Sequence, residues 1–323
     1  MKIALFGTSH WHAQMHLDAA LSANAEVVGV WGENPAQAAD FAQRHHLRAV
    51  ATVADGLALR PDLVVLMGHP ERVPDQARRL IGAGVPLILE KPAAGSTAII
   101  AALAQLARKR GSFVGVPLPN RFGPVLHEYQ RLERDGRAGK LAHASFRLVN
   151  GPPQRYRDDG VGWLLDPAIG GGGALRNLGI HGIDAALSLA QGPLSIVSAS
   201  IGNRVHDEAV EDHALIVMSD AGGALFTVEA GYTYASMAPG GAFEWRLVTA
   251  NATLSDCGDS ARCATLDDAT TRSLPPEPTA TRYRLFMADT LQRLHDGHPP
   301  AITLDDYLAA MSLIDAAYAK AKS

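Results

Sequence analysis

"KIALFGTSHWHAQMH", residues 2–16, is an apolar run that ends at Gly7 and turns into a helical pattern. An apolar strand feeding a helix through a glycine turn is where a dinucleotide-binding loop sits: the glycine makes the tight turn, and the helix start offers N–H groups to a pyrophosphate. The usual spacing is G-x-G-x-x-G, and here Ser9 and His12 occupy the second and third glycine positions. Ser9 is small and can itself donate to phosphate. His12 stands where a glycine normally lets helix and strand pack closely. The loop predicts cofactor contacts from Gly7, Thr8, Ser9, His10, Trp11 and His12. A metal reading of His10, His12 and His16 lacks an acidic or cysteine partner nearby in sequence, and no metal is assigned.

The pattern continues outward from this loop. "EVVGVW", "DLVVLM", "VPLILE" and "SFVGVP" are further apolar runs, each separated from the next by a helical stretch, with Pro35 at a plausible first helical turn. Strands apolar throughout and alternating with helices predict a parallel sheet covered on both faces, a doubly wound half with its ligand crevice at the carboxyl ends of the strands. After about residue 120 the pattern changes. A helix (121–135), a strand (141–149) and a Pro/Gly/Arg-rich loop precede "GGGG" and a long helix over 174–190. Successive strands follow over 195–266 without helices between them, an antiparallel sheet. Two helices, 280–295 and 304–321, end the chain, with Thr303 as N-cap of the second.

Length and composition agree. A chain of 323 residues favours two domains. Hydrophobic content of 47% with 19% charged residues is that of a soluble globular protein. A net charge of −4 gives no field for nucleic acid or an anionic membrane, and no apolar run reaches the length of a membrane span. The first strand begins directly behind Met1, which leaves no room for a leader. Cys257 and Cys263 read as free thiols, and the expected location is the cytoplasm.

Three stretches carry candidate chemistry. In "VWGENP", Glu33 lies at the end of the second strand, where an acid accepts from the adenosine ribose hydroxyls. No Arg or Lys follows it directly to meet a 2′-phosphate, so NAD is expected over NADP. In "LILEKPAAG", Glu90, Lys91 and Pro92 sit at the carboxyl end of a parallel strand, inside the predicted crevice, where a lysine can bind and polarise a substrate hydroxyl. In "GGGGALRNLGIHGID", Asn177 and His181 are four apart on one helix face, and a histidine there is a natural proton acceptor for an alcohol being oxidised. Asp184, one turn on, reads as a structural partner. Asn120, Arg121 and Trp163 are further candidates for a substrate pocket.

Taken together, "EKP" (90–92), "RFGP" (121–124), "GRAGKL" (136–141), "GGGALRNLGIHGID" (171–184), "VEDHA" (210–214) and "YLAAMSLIDAAYAKA" (307–321) resemble the glucose–fructose oxidoreductase / inositol dehydrogenase family, Gfo/Idh/MocA. The resemblance covers nearly the whole chain. It implies a Rossmann domain over 1–120 and a second α/β domain over 121–323 that binds substrate and oligomerises as a homodimer or homotetramer through a large open, mostly antiparallel sheet. The last helix is expected to pack back on the first domain. It also implies a bound nicotinamide dinucleotide and oxidation or reduction of sugars or polyols. The family pairs the EKP lysine with an Asp and a His four apart; carried over, these are Lys91, Asn177 and His181. Gly32 stands where the family commonly has an acid, and Asn177 where it has Asp. Two other activities remain open at this stage: glycoside cleavage through transient oxidation by tightly held NAD, and a non-catalytic nucleotide-bound sensor or regulator.

Overall fold

The computed structural model describes residues 1–322. The chain forms two compact units, one from Met1–Pro117 with Tyr283–Leu308, the other from Leu118–Arg282 with the chain from Ala309 on.

The first unit alternates strand and helix. Its elements are β1 (Lys2–Phe6), α1 (Ala13–Ser22), β2 (Glu26–Trp31), α2 (Pro35–Arg44), α3 (Val53–Ala58), β3 (Leu63–Leu66), α4 (Val73–Gly82), β4 (Leu87–Leu89), α5 (Thr97–Arg110) and β5 (Val114–Gly115). The five strands pair in parallel in the order β2-β1-β3-β4-β5. Isolated bridges extend both edges, Val30 with Ala49 in parallel and Gly115 with Thr303 antiparallel. Three of the apolar strands are buried as read, Ile3 to Phe6, Leu63 to Leu66 and Leu87 to Leu89 being all 0% exposed, while the edge strand β2 is only partly covered. The order reverses at β1, whose neighbours β2 and β3 lead to loops on opposite sides, and a crevice opens at such a point. Local chemistry sets the helix starts. Asn34 accepts from the N–H groups of Ala36 and Gln37, with Pro35 in the first turn of α2. Thr52 and Asp55 form a reciprocal capping box on α3, an element the periodicity did not predict.

In the second unit a 3₁₀ turn (Pro119–Phe122) leads into α6 (Pro124–Arg134), β6 (Leu141–Asn150), α7 (Gln154–Asp158), a second 3₁₀ turn (Gly162–Leu165) and α8 (Pro167–Gly170). The Pro/Gly/Arg-rich segment expected as loop thus carries one short helix, α7, and α8 follows beyond it. A π-helical turn (Leu175–Gly179) then runs into α9 (Ile180–Leu189), so the helix expected over 174–190 is interrupted at its start. The strands are β7 (Ser195–Gly202), β8 (His213–Ser219), β9 (Leu225–Gly231), β10 (Gly241–Thr249), β11 (Ala252–Asp256), β12 (Ala261–Thr265) and β13 (Arg272–Leu274). With β6 they make one sheet, ordered β13-β12-β11-β10-β6-β9-β8-β7. All pairings are antiparallel except β6 with β9. Alternation decides its faces: in β8, Ala214, Ile216 and Met218 are buried while Leu215 is 43% exposed. α6 packs on β10 to β12, and α9 on β6 and β9. α9 comes close because of Gly182, where a Cβ would lie 2.7 Å from the Phe146 Cβ.

α10 (Thr279–His295) and α11 (Leu304–Ala321) end the chain, and Thr303 caps α11, its Oγ1 accepting from the Asp306 N–H. Both cysteines are free, Cys263 opposite Leu254 on the β11–β12 hairpin and Cys257 in the turn beyond. Among the described residues no helix is long and apolar enough to cross a membrane.

Candidate active site

Gly7 has φ of +91°, and a Cβ on it would lie 2.0 Å from the Met67 carbonyl oxygen. Only glycine fits this turn, where its N–H donates to the Trp31 carbonyl at the end of β2. Thr8 Oγ1 is buried and finds no hydrogen-bond partner among the described residues. A buried orphan hydroxyl beside a forced glycine turn, one turn before a helix, fits the pyrophosphate of a dinucleotide. Ser9 is exposed, and Trp11 is half-buried, its ring clustered with those of His10 and His12 at centroid distances of 5.6 and 5.3 Å.

The two histidines of this loop each have a defined partner. His10 is buried and its Nδ1 accepts from the His12 N–H at 3.2 Å, which leaves Nε2 to carry the ring hydrogen of the neutral form. Burial, with His12 close by, pulls its pKa down to about 3. His12 does not press α1 against the sheet. Its ring turns to Tyr283 at the start of α10, with Nδ1 2.9 Å from the phenol oxygen and 3.4 Å from Glu90 Oε1. Burial lowers its pKa, against the pull of Glu90.

These residues converge on Glu90, whose side chain is fully buried. Its Oε2 lies 2.6 Å from His16 Nε2, and its Oε1 accepts the Lys91 backbone N–H at 2.9 Å. Burial alone would raise the Glu90 pKa, but His12 and His16 hold it well below the usual carboxylate range. An ionised carboxylate only accepts, so His16 Nε2 carries the proton between them. The acidic partner missing from the sequence neighbourhood of the three histidines is thus Glu90. Among the described residues no group of three or more His, Cys, Asp or Glu is arranged to hold a metal ion.

Lys91 follows, 3% exposed, in the turn after β4, and its bond to Pro92 is cis. Burial pulls its pKa from 10.5 to about 8, with the Glu90 charge opposing the fall. Glu33, two residues past β2, pairs with a residue the sequence reading did not name: its Oε2 is 3.1 Å from Arg72 Nη1. Its chain neighbours supply no cation, but the fold does.

In the second unit Asn177 lies in the π turn and His181 in the first turn of α9; they are 3% and 9% exposed. π turns are often found at functional sites. Asn177 Nδ2 donates to Tyr232 Oη at 3.2 Å, and Tyr156, 4.8 Å from Tyr232 between ring centroids, also bonds to Asn177. Burial raises both phenols, Tyr156 to about 12, so this network is neutral at physiological pH.

The glycine run has a structural cause. A Cβ on Gly172 would lie 2.2 Å from the Tyr318 hydroxyl, and one on Gly173 2.2 Å from the Glu211 carbonyl oxygen. The Glu211 carboxylate accepts from the N–H groups of Gly173 and Leu175 and from Tyr318 Oη. Glu211, from "VEDHA", therefore clamps the start of the segment that carries Asn177.

The other pocket candidates are engaged in packing. Arg121 makes a bidentate pair with Asp184, Nε to Oδ2 at 2.7 Å and Nη2 to Oδ1 at 2.5 Å. Asn120 Oδ1 accepts from Arg282, which is itself paired with Asp256. Trp163 is half-buried in the second 3₁₀ turn.

Residues 1–117 match the model of an oxidoreductase family with an NAD-binding Rossmann fold, and residues 126–254 match the GFO/IDH/MocA C-terminal domain. A trans-1,2-dihydrobenzene-1,2-diol dehydrogenase of Macaca fuscata fuscata is 25% identical over 199 residues, which is 61% of this chain and 57% of that enzyme. Levoglucosan dehydrogenase, solved with NADH and levoglucosan, superposes with a TM-score of 0.87 at 16% identity, covering 100% of this chain and 97% of its own. An oxidoreductase from Agrobacterium radiobacter, solved with NAD+, L-tartaric acid and magnesium, gives 0.84 at 17% identity, covering 100% and 96%. At such identities these structures speak for the fold. With both halves of one family matched in order along the chain, and a Rossmann unit and an eight-stranded sheet in place, the chain belongs to the GFO/IDH/MocA family of NAD-binding oxidoreductases.

Proposed function

We propose that this protein is an NAD(P)-dependent dehydrogenase or reductase that acts on a hydroxyl or keto carbon of a sugar, polyol or related diol. The observation that carries the reading is Lys91, a buried lysine with its pKa drawn to about 8, at the carboxyl edge of the sheet that also bears the glycine turn. The bound dinucleotide supplies hydride transfer at its nicotinamide ring. Gly7 and Thr8 hold its pyrophosphate, and Glu33 its adenosine ribose. Lys91 donates to the substrate oxygen and stabilises charge developing there. His181 takes the hydroxyl proton in the oxidative direction. Asn177 cannot ionise; held by Tyr232, it orients a substrate hydroxyl. Asn120 and Arg121 support the pocket through Arg282 and Asp184, and Trp163 lines it.

We assign dinucleotide binding to the first unit, and substrate binding and pairing with a second copy through the open sheet face to the second. Two free thiols suit a reducing compartment, which supports a cytoplasmic location.

The experiment is absorbance at the reduced-nicotinamide band with NAD or NADP and a panel of aldoses, polyols, anhydrosugars and trans-diols. Net reduction with at least one hydroxyl substrate is expected. Glycoside cleavage with no net reduction and a nucleotide that never exchanges defeats the dehydrogenase reading. So does nucleotide binding without any turnover across the panel.

A further inference from the structure

We propose that Arg72 is a 2′-phosphate ligand, so that the adenosine end of the cofactor site accepts NADP as well as NAD. The inference rests on the reading of the first unit as a dinucleotide site. Glu33 follows β2, and Arg72 stands at the start of α4 beyond β3. In the order β2-β1-β3 those two loops flank the carboxyl end of β1, where Gly7 and Thr8 make the phosphate turn. The 3.1 Å pair between Arg72 Nη1 and Glu33 Oε2 therefore joins the two loops that border the ribose position.

Charge decides what this pair admits. Glu33 alone would repel a 2′-phosphate, and that repulsion is the sequence-level case for NAD. Arg72 cancels the charge and supplies a planar fork of donors that matches phosphate oxygens. The pair is easily exchanged: the Arg72 side chain is 67% exposed against 22% for Glu33, and a solvated pair of this kind contributes about 0–1 kcal/mol. The loop's other acid, Glu71, lies 3.6 Å from His69 Nδ1. With NAD, Glu33 accepts from the ribose hydroxyls and Arg72 turns to solvent. With NADP, Arg72 takes the phosphate.

The test is calorimetric titration of NAD and of NADP into the full chain, the Arg72→Ala variant and the Glu33→Gln variant, with thermal melts to compare folding. The wild-type chain is expected to bind both nucleotides. Arg72→Ala should weaken NADP about tenfold or more, the loss of a charge-assisted contact, and change NAD less than about threefold. Glu33→Gln should weaken NAD and tighten NADP. Added salt should weaken NADP more in the wild type than in Arg72→Ala. Equal weakening of both nucleotides by Arg72→Ala, or a wild type that binds NAD alone, overturns the inference and leaves the dinucleotide reading intact. A folded wild type that binds neither overturns both.

Discussion

The turn that carries Lys91 and the segment that carries Asn177 and His181 are held in opposite ways. Around Lys91 the support is a buried charge. Glu90 is ionised at zero exposure, accepts from His16 and from the Lys91 N–H, and faces His12. Around Asn177 the support is neutral, an amide against two phenols whose pKa values burial has raised. The carboxylates that brace that segment act beside Asn177 rather than on it: Glu211 accepts from backbone N–H groups at its start, Asp315 pairs with Arg176, and Asp184 with Arg121. A buried charge holds geometry tightly and tunes the ionisation of its neighbours. A neutral network holds geometry and leaves ionisation alone. The first unit should therefore be sensitive to losing a charge, and the second to gaining one.

The largest effect expected is at Lys91 itself. Lys91→Met keeps the volume and removes the ammonium. Turnover should fall by two orders of magnitude or more, the scale of losing a donor aimed at developing charge, while calorimetry finds NAD bound nearly as before. Stability should move the other way. The folded pKa is about 8 and the unfolded value 10.5, so between these the unfolded chain binds more protons, and wild-type stability rises with pH. Below pH 8 the buried ammonium costs about 3 kcal/mol, which Lys91→Met removes. Urea unfolding at pH 7 and pH 9.5 checks this: the variant should be the more stable at pH 7, by a margin that narrows at pH 9.5. Near-normal turnover breaks the assigned role.

Glu90→Gln is next. Gln can keep the Lys91 N–H on its oxygen but turns an amide N–H toward His16, whose ring hydrogen must then move to the buried Nδ1, which has no hydrogen-bond partner among the described residues, a loss of about 1–3 kcal/mol at pH 7. The depressed Glu90 pKa contributes stability that is present above the ordinary carboxylate value and lost as pH falls toward the folded one. The variant should show a flatter decline of stability on the acid side. Glu90 also opposes the fall of the Lys91 pKa, so its removal should move the alkaline limb of the rate profile below its wild-type position near pH 8. An alkaline limb that stays in place would mean that the buried charge does not reach Lys91.

The contrast between the two supports also explains how much could be read in advance. Lys91 was legible because an apolar strand followed by a charged turn fixes its place at the sheet edge. Asn177 and His181 were legible from their spacing after a glycine run. Their supports were not. His12 looked like a departure from a glycine pattern and His16 like part of an incomplete metal set, because the groups that employ them, Glu90 and Tyr283, lie far along the chain. Glu211 stood in a noted motif, yet its purpose depends on Gly172 and Gly173 being pressed against Tyr318 and against Glu211 itself. Tyr156, Tyr232 and Arg72 carried no local signal at all. The β6–β9 pairing was hidden too: every hairpin around it is antiparallel, and nothing in the strands' alternation marks a parallel partner.

The smallest expected effect tests the neutral side of the comparison. Asn177→Asp introduces a carboxylate at a buried position four residues before His181. Burial penalises the new carboxylate, and the Tyr232 and Tyr156 hydroxyls offset part of that by turning to donate to its oxygens, so the variant should be destabilised by about 1 kcal/mol or more. The phenols that meet Asn177 are neutral, and the acid limb of the rate profile is assigned to His181. An opposite charge favours the protonated imidazole, and a base that must be neutral to act then needs a higher pH. The acid limb should shift upward by roughly one unit, with the plateau rate little changed and substrate preference altered where Asn177 has been a donor. The readout is the pH dependence of kcat/KM for both proteins on the same substrate. An acid limb and a substrate preference both unchanged would mean that Asn177 serves only the tyrosines it touches, and that the neutral network is packing rather than part of the chemistry.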